Sequence, residues 1–149
     1  NGTGGVEDRM AILWHHGVRT GRLTPSEFVA VTSSNTAKIF NIHPKKGTIA
    51  VGADADVVVW DPNKTRVISA KTHHQNIDFN IYEGMEVVGN PARTYVRGSL
   101  AWDGANLHTQ RGFGRHVSRP CHSVFFENQM TRNRQPTLGP VERVLPKAT

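Results

Sequence analysis

The side chains of this chain that could do chemistry come in close pairs. His15-His16 and His73-His74 are adjacent, and Asp54 and Asp56 flank a single alanine. A metal centre needs ligands that converge on one point. Neighbours on a helix or strand point in different directions, so neither histidine pair suits joint ligation. His15 and His16 are expected to cap a helix end, where an imidazolium complements the dipole. No residue of this chain is expected to bind metal. Asp54 and Asp56 are expected to accept turn amides, as Asx residues do, rather than to act as an acid–base pair. Cys121 is the single cysteine, set in a basic segment that favours a thiolate. Nothing beside it completes a nucleophilic site, so a passive thiol is expected and no catalytic residue is assigned.

The elements that would position other groups start with a glycine-rich loop, Asn1-Gly2-Thr3-Gly4-Gly5. Val6, Met10, Leu13, Trp14 and Gly17 follow at the spacing of one helix face. Glu7 and Asp8 fall in the first turn, where acids complement the dipole, and Gly17 or Gly21 would end the helix. Thr24-Pro25-Ser26-Glu27 is a capping box with proline at the first helical position. Phe28, Val29 and Val31 supply the buried side of that second helix. Ser33, Ser34 and Asn35 are expected to interrupt it. Ala37, Ile39 and Phe40 then form another short helix that ends before Pro44. Residues 1–43 are therefore expected to be helical.

The pattern changes at Pro44. Gly47 and Gly52 suit turn conformations that a Cβ would penalise. The run Val57-Val58-Val59-Trp60 predicts a buried strand, with Pro62 as its stop. Further strands are predicted at 49–51, 66–69, 85–88, 92–97 and 99–102. Gly89-Asn90-Pro91 and Arg97-Gly98-Ser99 read as turns. The second of these predicts a hairpin, with Tyr95 and Val96 before it and Leu100 and Trp102 after. Trp14, Trp60 and Trp102 are expected to anchor the core.

Residues 108–149 lack sustained periodicity and bury too little to fold alone. Val124, Phe125 and Phe126 favour an arm lying on another surface over a disordered tail. This segment holds seven basic residues against two acids, so it carries most of the net charge of +6. Its charges are spaced rather than clustered, and no aromatic-rich recognition module accompanies them. Nucleic-acid binding is therefore not expected, and an RNA-binding module ranks last among the readings. No stretch approaches the roughly 18 apolar residues that would cross a bilayer. With one cysteine in 149 residues, a cytoplasmic location is expected. The start at Asn1, without methionine or an apolar leader, suggests a cleaved or truncated chain.

Several blocks resemble one family. Gly47–Pro62 is similar to the stretch where metal-dependent amidohydrolases return from their barrel to a small β-domain. Gly5-Val6-Glu7-Asp8-Arg9-Met10 resembles the loop and helix after the last metal-binding strand of dihydropyrimidinases and D-hydantoinases. Phe28–Phe40 resembles their final barrel helices. Ser69–Gln75 and Phe79–Met85 resemble their β-domain. The likeness runs from Asn1 to about Gly114 and then fades.

This resemblance implies an α/β protein, a TIM barrel with a small β-sandwich domain. Residues 1–43 would be the last barrel helices, 44–107 a β-sandwich segment and 108–149 a basic oligomerisation arm. The implied reaction hydrolyses the ring amide of dihydropyrimidines or hydantoins to N-carbamoyl amino acids. It implies a binuclear centre, usually zinc, that acidifies a bridging water and polarises the carbonyl, with ligands upstream of this chain. It also implies a cyclic amide or imide substrate and a homotetramer. Asn1 occupies the place whose backbone meets the substrate ring in bacterial members, and Gly4 is the second candidate. Against this stands the plainer reading of a frayed end and a turn. The collapsin-response mediator proteins share these blocks, lack the metal ligands and act as tetrameric adaptors, which gives the alternative reading.

Overall fold

The computed structural model describes residues 2–120, 130, 131 and 134. Cys121 and most of the segment beyond Pro120, including Val124, Phe125 and Phe126, lie outside the described residues, as does Asn1.

Helix α1 spans Arg9–Leu13 and continues as a π-helical turn over Trp14–Val18. Its buried face is the predicted one only in part: Gly17 is buried and Trp14 packs on Phe28 and Trp60, but the face starts elsewhere. Val6 precedes the helix and is 79% exposed, whereas Asp8 and Ala11 are buried. The apolar spacing counted Val6 as a helix residue, but the first helical residue is Arg9. That offset turns Asp8 inward instead of leaving it on the exposed first turn.

Helix α2 spans Pro25–Val29 and starts as the sequence predicts. Thr24 N–H donates to Glu27 Oε2 at 2.8 Å, and Glu27 N–H donates to Thr24 Oγ1 at 3.2 Å. A cap of this kind contributes about 1 kcal/mol. The predicted interruption at Ser33–Asn35 does not occur. A π-helical turn, Ala30–Ser34, leads straight into α3, Asn35–Ile39, and Ser34 makes no side-chain cap bond. Its hydroxyl donates to Gly47 O at 3.0 Å instead, tying the helix to the next turn. Phe28 and Ala37 are buried, while Val29, Val31, Ile39 and Phe40 are about half exposed.

Gly47 and Gly52 adopt φ of 79° and 91°, as the turn reading requires. The strand predicted at 49–51 is absent. Ile49 is 87% exposed, and the two glycines curl the chain before any partner can pair with it.

Three strands form one antiparallel sheet in the order β1-β2-β3: Val57–Val67, Glu86–Val96 and Ser99–Trp102. The described residues form this single sheet, with no second sheet facing it. Two sequence predictions fail here for one reason. Pro62 does not end β1, and Gly89-Asn90-Pro91 is not a turn. Both lie at an irregularity where Asp61 pairs with Asn90 and the ladder resumes at Thr65 and Val88. Proline is tolerated in a sheet at such a break because no ladder amide is needed there. Asp61 Oδ1 accepts the N–H groups of Asn63 and Lys64 at 2.9 and 3.1 Å, which holds the extra residues in place. The predicted strands 85–88 and 92–97 fall in β2 apart from Met85 and Arg97, and 66–69 contributes only Arg66 and Val67, at the end of β1. Val58 and Val59 are nearly half exposed, so the predicted burial of this run is not met. β1 is an edge strand of the sheet, and Val58 borders the open cavity beside Trp60 and Trp102.

The predicted hairpin is present. Arg97 and Gly98 adopt φ of 48° and 79°, and Val96 pairs with Ser99. The core lies between α1 and the sheet, where Ala11, Ile68 and Val87 are buried against Ile12, Tyr82 and Met85.

Candidate functional site: the glycine loop and its anchor

The loop before α1 has few side chains with which to hold itself. The carbonyl of Gly5 accepts the N–H groups of Asp8 and Arg9 at 3.3 and 2.9 Å, so the loop closes onto the helix start. Gly4 packs on the segment after β1. A Cβ there would lie 2.4 Å from Ile77 Cδ1 and 2.9 Å from Gln75 Oε1. Of the two candidate substrate contacts, Gly4 therefore sits in a defined loop against residues 75–77, and Asn1 lies outside the described residues.

Two consecutive acids fasten this loop to the sheet region. Glu7 receives His74 twice: the backbone N–H at 2.7 Å and Nδ1–H at 2.9 Å. Asp8 has no exposed surface. Its Oδ1 accepts Arg66 Nη2 at 2.7 Å, and its Oδ2 accepts Asn80 Nδ2 at 2.7 Å and Gln75 Nε2 at 3.5 Å. Arg66 Nε donates to Asn90 Oδ1 at 2.7 Å, and Asn90 Nδ2 donates to Lys64 O at 2.8 Å. A carboxylate is costly to bury unless its oxygens are well satisfied, and this one meets donors from three side chains. Charge-assisted bonds of this length are among the stronger kind. The network borders solvent on one side, where a cavity of ≈ 670 Å³ is walled by Glu7, Met10, Trp60, Arg66, His74, Asn90 and Trp102 among others.

Four of the histidines, His15, His73, His74 and His108, make side-chain hydrogen bonds within the chain. His15 and His16 lie in the last turn of the π-helical segment, as expected, but His15 turns to the sheet, where its Nδ1 accepts Val88 N–H at 3.1 Å. His73 Nε2 bonds Ile77 O at 3.0 Å. His108 Nε2 bonds Asp103 Oδ2 at 2.7 Å. That bond, with the N–H groups of Asn106 and Ala105, holds the Asp103 carboxyl far below the usual carboxylate range. Among the described residues, no three His, Cys, Asp or Glu side chains are grouped to hold a metal ion.

Asp54 and Asp56 share Lys46, at 2.9 Å for Asp54 and at a shorter distance for Asp56. Asp56 also accepts Arg97 N–H of the hairpin turn at 2.8 Å, a turn amide as expected, but one 41 residues away rather than in its own turn. Asp54 departs from the Asx reading and takes the ion pair. Trp14 and Trp60 form an aromatic cluster with Phe28, the centroids 5.1–5.6 Å apart. Trp102 stands apart, edge-on to His74 at 5.4 Å. The start of the tail folds back on this chain. Arg97 lies over the Phe113 ring, 4.2 Å from its centroid, and Arg119 Nη1 donates to Phe40 O at 3.1 Å.

A glycine loop fastened to a helix start, and a helix seated on a small antiparallel sheet, match a known family. The chain belongs to the amidohydrolase family, which it matches over residues 5–101. It is 48% identical to rat (Rattus norvegicus) dihydropyrimidinase over 144 residues, 96% of this chain and 28% of that protein. The crystal structure of dihydropyrimidinase from Brevibacillus agri superposes with a TM-score of 0.77 at 45% identity, covering 80% of this chain and 26% of that one. Mouse (Mus musculus) dihydropyrimidinase-related protein 5 is 49% identical over 115 residues, 77% of this chain and 20% of that protein. The chain thus spans little more than a quarter of the length of the rat and Brevibacillus relatives. Among the described residues, no helix is long and apolar enough to cross a membrane.

Proposed function

We propose that the polypeptide containing this chain is a cyclic amidohydrolase of the dihydropyrimidinase and D-hydantoinase type. Its substrate is a small cyclic amide or imide, and its product an N-carbamoyl amino acid. The observation that supports this most is the 48% identity to rat dihydropyrimidinase across 96% of the chain. This chain's part is to close the barrel with residues 1–43, to supply β-sandwich strands from 44–107 and to offer substrate the backbone of the loop at Asn1 and Gly4. The described residues do not fit a metal site, since no three ligating side chains among them converge and His15, His73, His74 and His108 are held in other bonds. The pair of zinc ions that such a reaction uses would be held by other parts of the polypeptide. Residues 108–149 are proposed to reach a neighbouring subunit of a tetramer, in the cytoplasm, from a start that is held on this chain through Phe113 and Arg119.

A non-catalytic adaptor of the collapsin-response mediator type is the second reading, favoured by the 49% identity to dihydropyrimidinase-related protein 5. Hydrolysis of dihydrouracil and hydantoin by the full-length protein, with its zinc content measured alongside, separates the two. Turnover that stops on chelation and returns with zinc is expected. A metal-free, inactive tetramer would favour the adaptor. The isolated 149-residue chain is expected to hydrolyse nothing.

A further inference from the structure

We propose that Asp8 is a positioning residue for substrate, acting through the loop: its clamped carboxylate sets where the Gly2–Gly5 backbone stands. The inference rests on the reading of that loop as a substrate contact. Three observations lead to it. Asp8 holds the loop and the sheet region at once. Its N–H binds Gly5 O at 3.3 Å, and its carboxylate binds Arg66 on β1 and Gln75 and Asn80 beyond it. The loop lies on the segment that supplies one of those donors, since Gln75 approaches both Asp8 and the Cβ position of Gly4. Glu7 adds a second tether through His74. Glycines cannot fix a loop by side-chain packing, and each has more conformational freedom to lose than any other residue. A backbone contact to a ligand therefore depends on what restrains the glycines from outside, and misplacement by an ångström is costly.

The carboxylate is chemically particular. Asp8→Asn places an amide among donors. With its Oδ1 kept for Arg66, its NH₂ faces the NH₂ of Asn80. Exchanging the partners, Asp8→Asn with Asn80→Asp, restores donor to acceptor at position 80 and keeps the Arg66 bond on Oδ1, while the longer Gln75 contact is regained only if its amide turns over. Asn80 also receives Tyr82 N–H on its Oδ1 at 2.9 Å, a bond that an aspartate there would keep.

The test uses the full-length protein with dihydrouracil as probe, and hydrogen exchange at Gly2–Arg9 as a readout independent of turnover. Asp8→Asn is expected to raise KM about tenfold with kcat within about threefold, the pattern of lost ground-state binding. Exchange at Gly2–Arg9 should quicken while amides of β2 and β3 hold. The double exchange should return both readouts most of the way to the parent values. Should Asp8→Asn fail to fold, Gln75→Ala removes only the longest of the three contacts and is expected to raise KM about threefold. Unchanged KM and unchanged loop exchange in a folded variant would overturn the proposal. So would a double exchange that rescues melting temperature but neither KM nor exchange. If the parent protein turns over neither dihydrouracil nor hydantoin, the functional reading fails by itself. The exchange measurement then still decides whether Asp8 holds the loop.

Discussion

Helix α1 and the turn that continues it meet the sheet through two seams of opposite character. At the N-terminal end the seam is ionic. Asp8 is fully buried and met by Arg66, Asn80 and Gln75. Further along the helix it is aromatic, with Trp14, Phe28 and Trp60 in mutual contact. The aromatic seam gains from apolar area and ring geometry, which tolerate small shifts. The ionic seam contributes less net energy because desolvation offsets attraction, but its bonds hold only in one arrangement. The comparison separates two roles: one end of the helix contributes burial, and the other fixes the position of the loop that precedes it.

The aromatic seam is the easier one to break, through a glycine. Gly89 has φ of 97°, and a Cβ there would sit 2.0 Å from Trp14 Cδ1. Gly89→Ala combines a strained backbone with forced displacement of the indole, and about 4 kcal/mol of lost stability is expected in urea unfolding of the full-length protein. The ionic seam should respond less. Asp8→Ala leaves the Arg66 charge unpaired, but that side chain is 28% exposed and can recruit water. A loss of about 3 kcal/mol is expected, the low end for a broken buried pair. Adding Arg66→Met should recover part of it. A double variant worse than Asp8→Ala would mean that Arg66 stabilises the sheet independently of Asp8.

The difference between the seams also marks what the sequence could disclose. The Thr24–Glu27 capping box was legible because all its chemistry lies within four residues. The Arg97-Gly98 hairpin was legible for the same reason, and Gly47 and Gly52 met their predicted backbone need. Asp8 was not legible. Locally it is an acid in a first turn, and its partners lie 58 to 72 residues away. The Gly89-Asn90-Pro91 signal was real but ambiguous, since the residues that favour a turn also favour an irregular ladder. Val58 and Val59 read as buried because strand composition reports a preference for burial, and whether it is met depends on a covering surface. Of the candidate substrate contacts, Gly4 lies in a loop with a traceable anchor. The resemblance located that loop, but periodicity gave no hint of what holds it.

A third, weaker contact ties the turn after α3 to the β2–β3 hairpin, and it has a pH signature. Burial raises the Asp56 pKa, but the Lys46 ammonium and the Arg97 N–H outweigh it and leave it below 3.8. Burial lowers the Lys46 pKa, and the two carboxylates outweigh that and leave it above 10.5. A depressed acid stabilises the fold above its unfolded pKa and loses that stabilisation as pH falls through the folded value. A raised base stabilises below its unfolded pKa and loses it as pH rises through the folded value. Lys46→Met should therefore cost about 1 kcal/mol on a plateau between those limits, since the groups are partly exposed. The parent and variant should converge in acid below 3.8 and in base above 10.5. A difference that persists in acid would assign the effect to the lysine stem rather than its charge.

The smallest effect is the most discriminating about the aromatic seam. The indole N–H groups of Trp14 and Trp60 are both buried with no partner among the described residues. An unmet buried donor costs about 1–3 kcal/mol, of the order that the larger ring gains over phenylalanine through added apolar area. Trp60→Phe should then change the urea midpoint little, because the lost area and the removed donor offset each other. Trp60 is the better position than Trp14, since Gly89 does not press on it. A loss well above 1 kcal/mol in the full-length protein would mean that the N–H meets an acceptor from outside the described residues. The aromatic seam would then be fixed in position by a hydrogen bond, as the ionic one is, and the contrast between the two ends of the helix would narrow to one of degree.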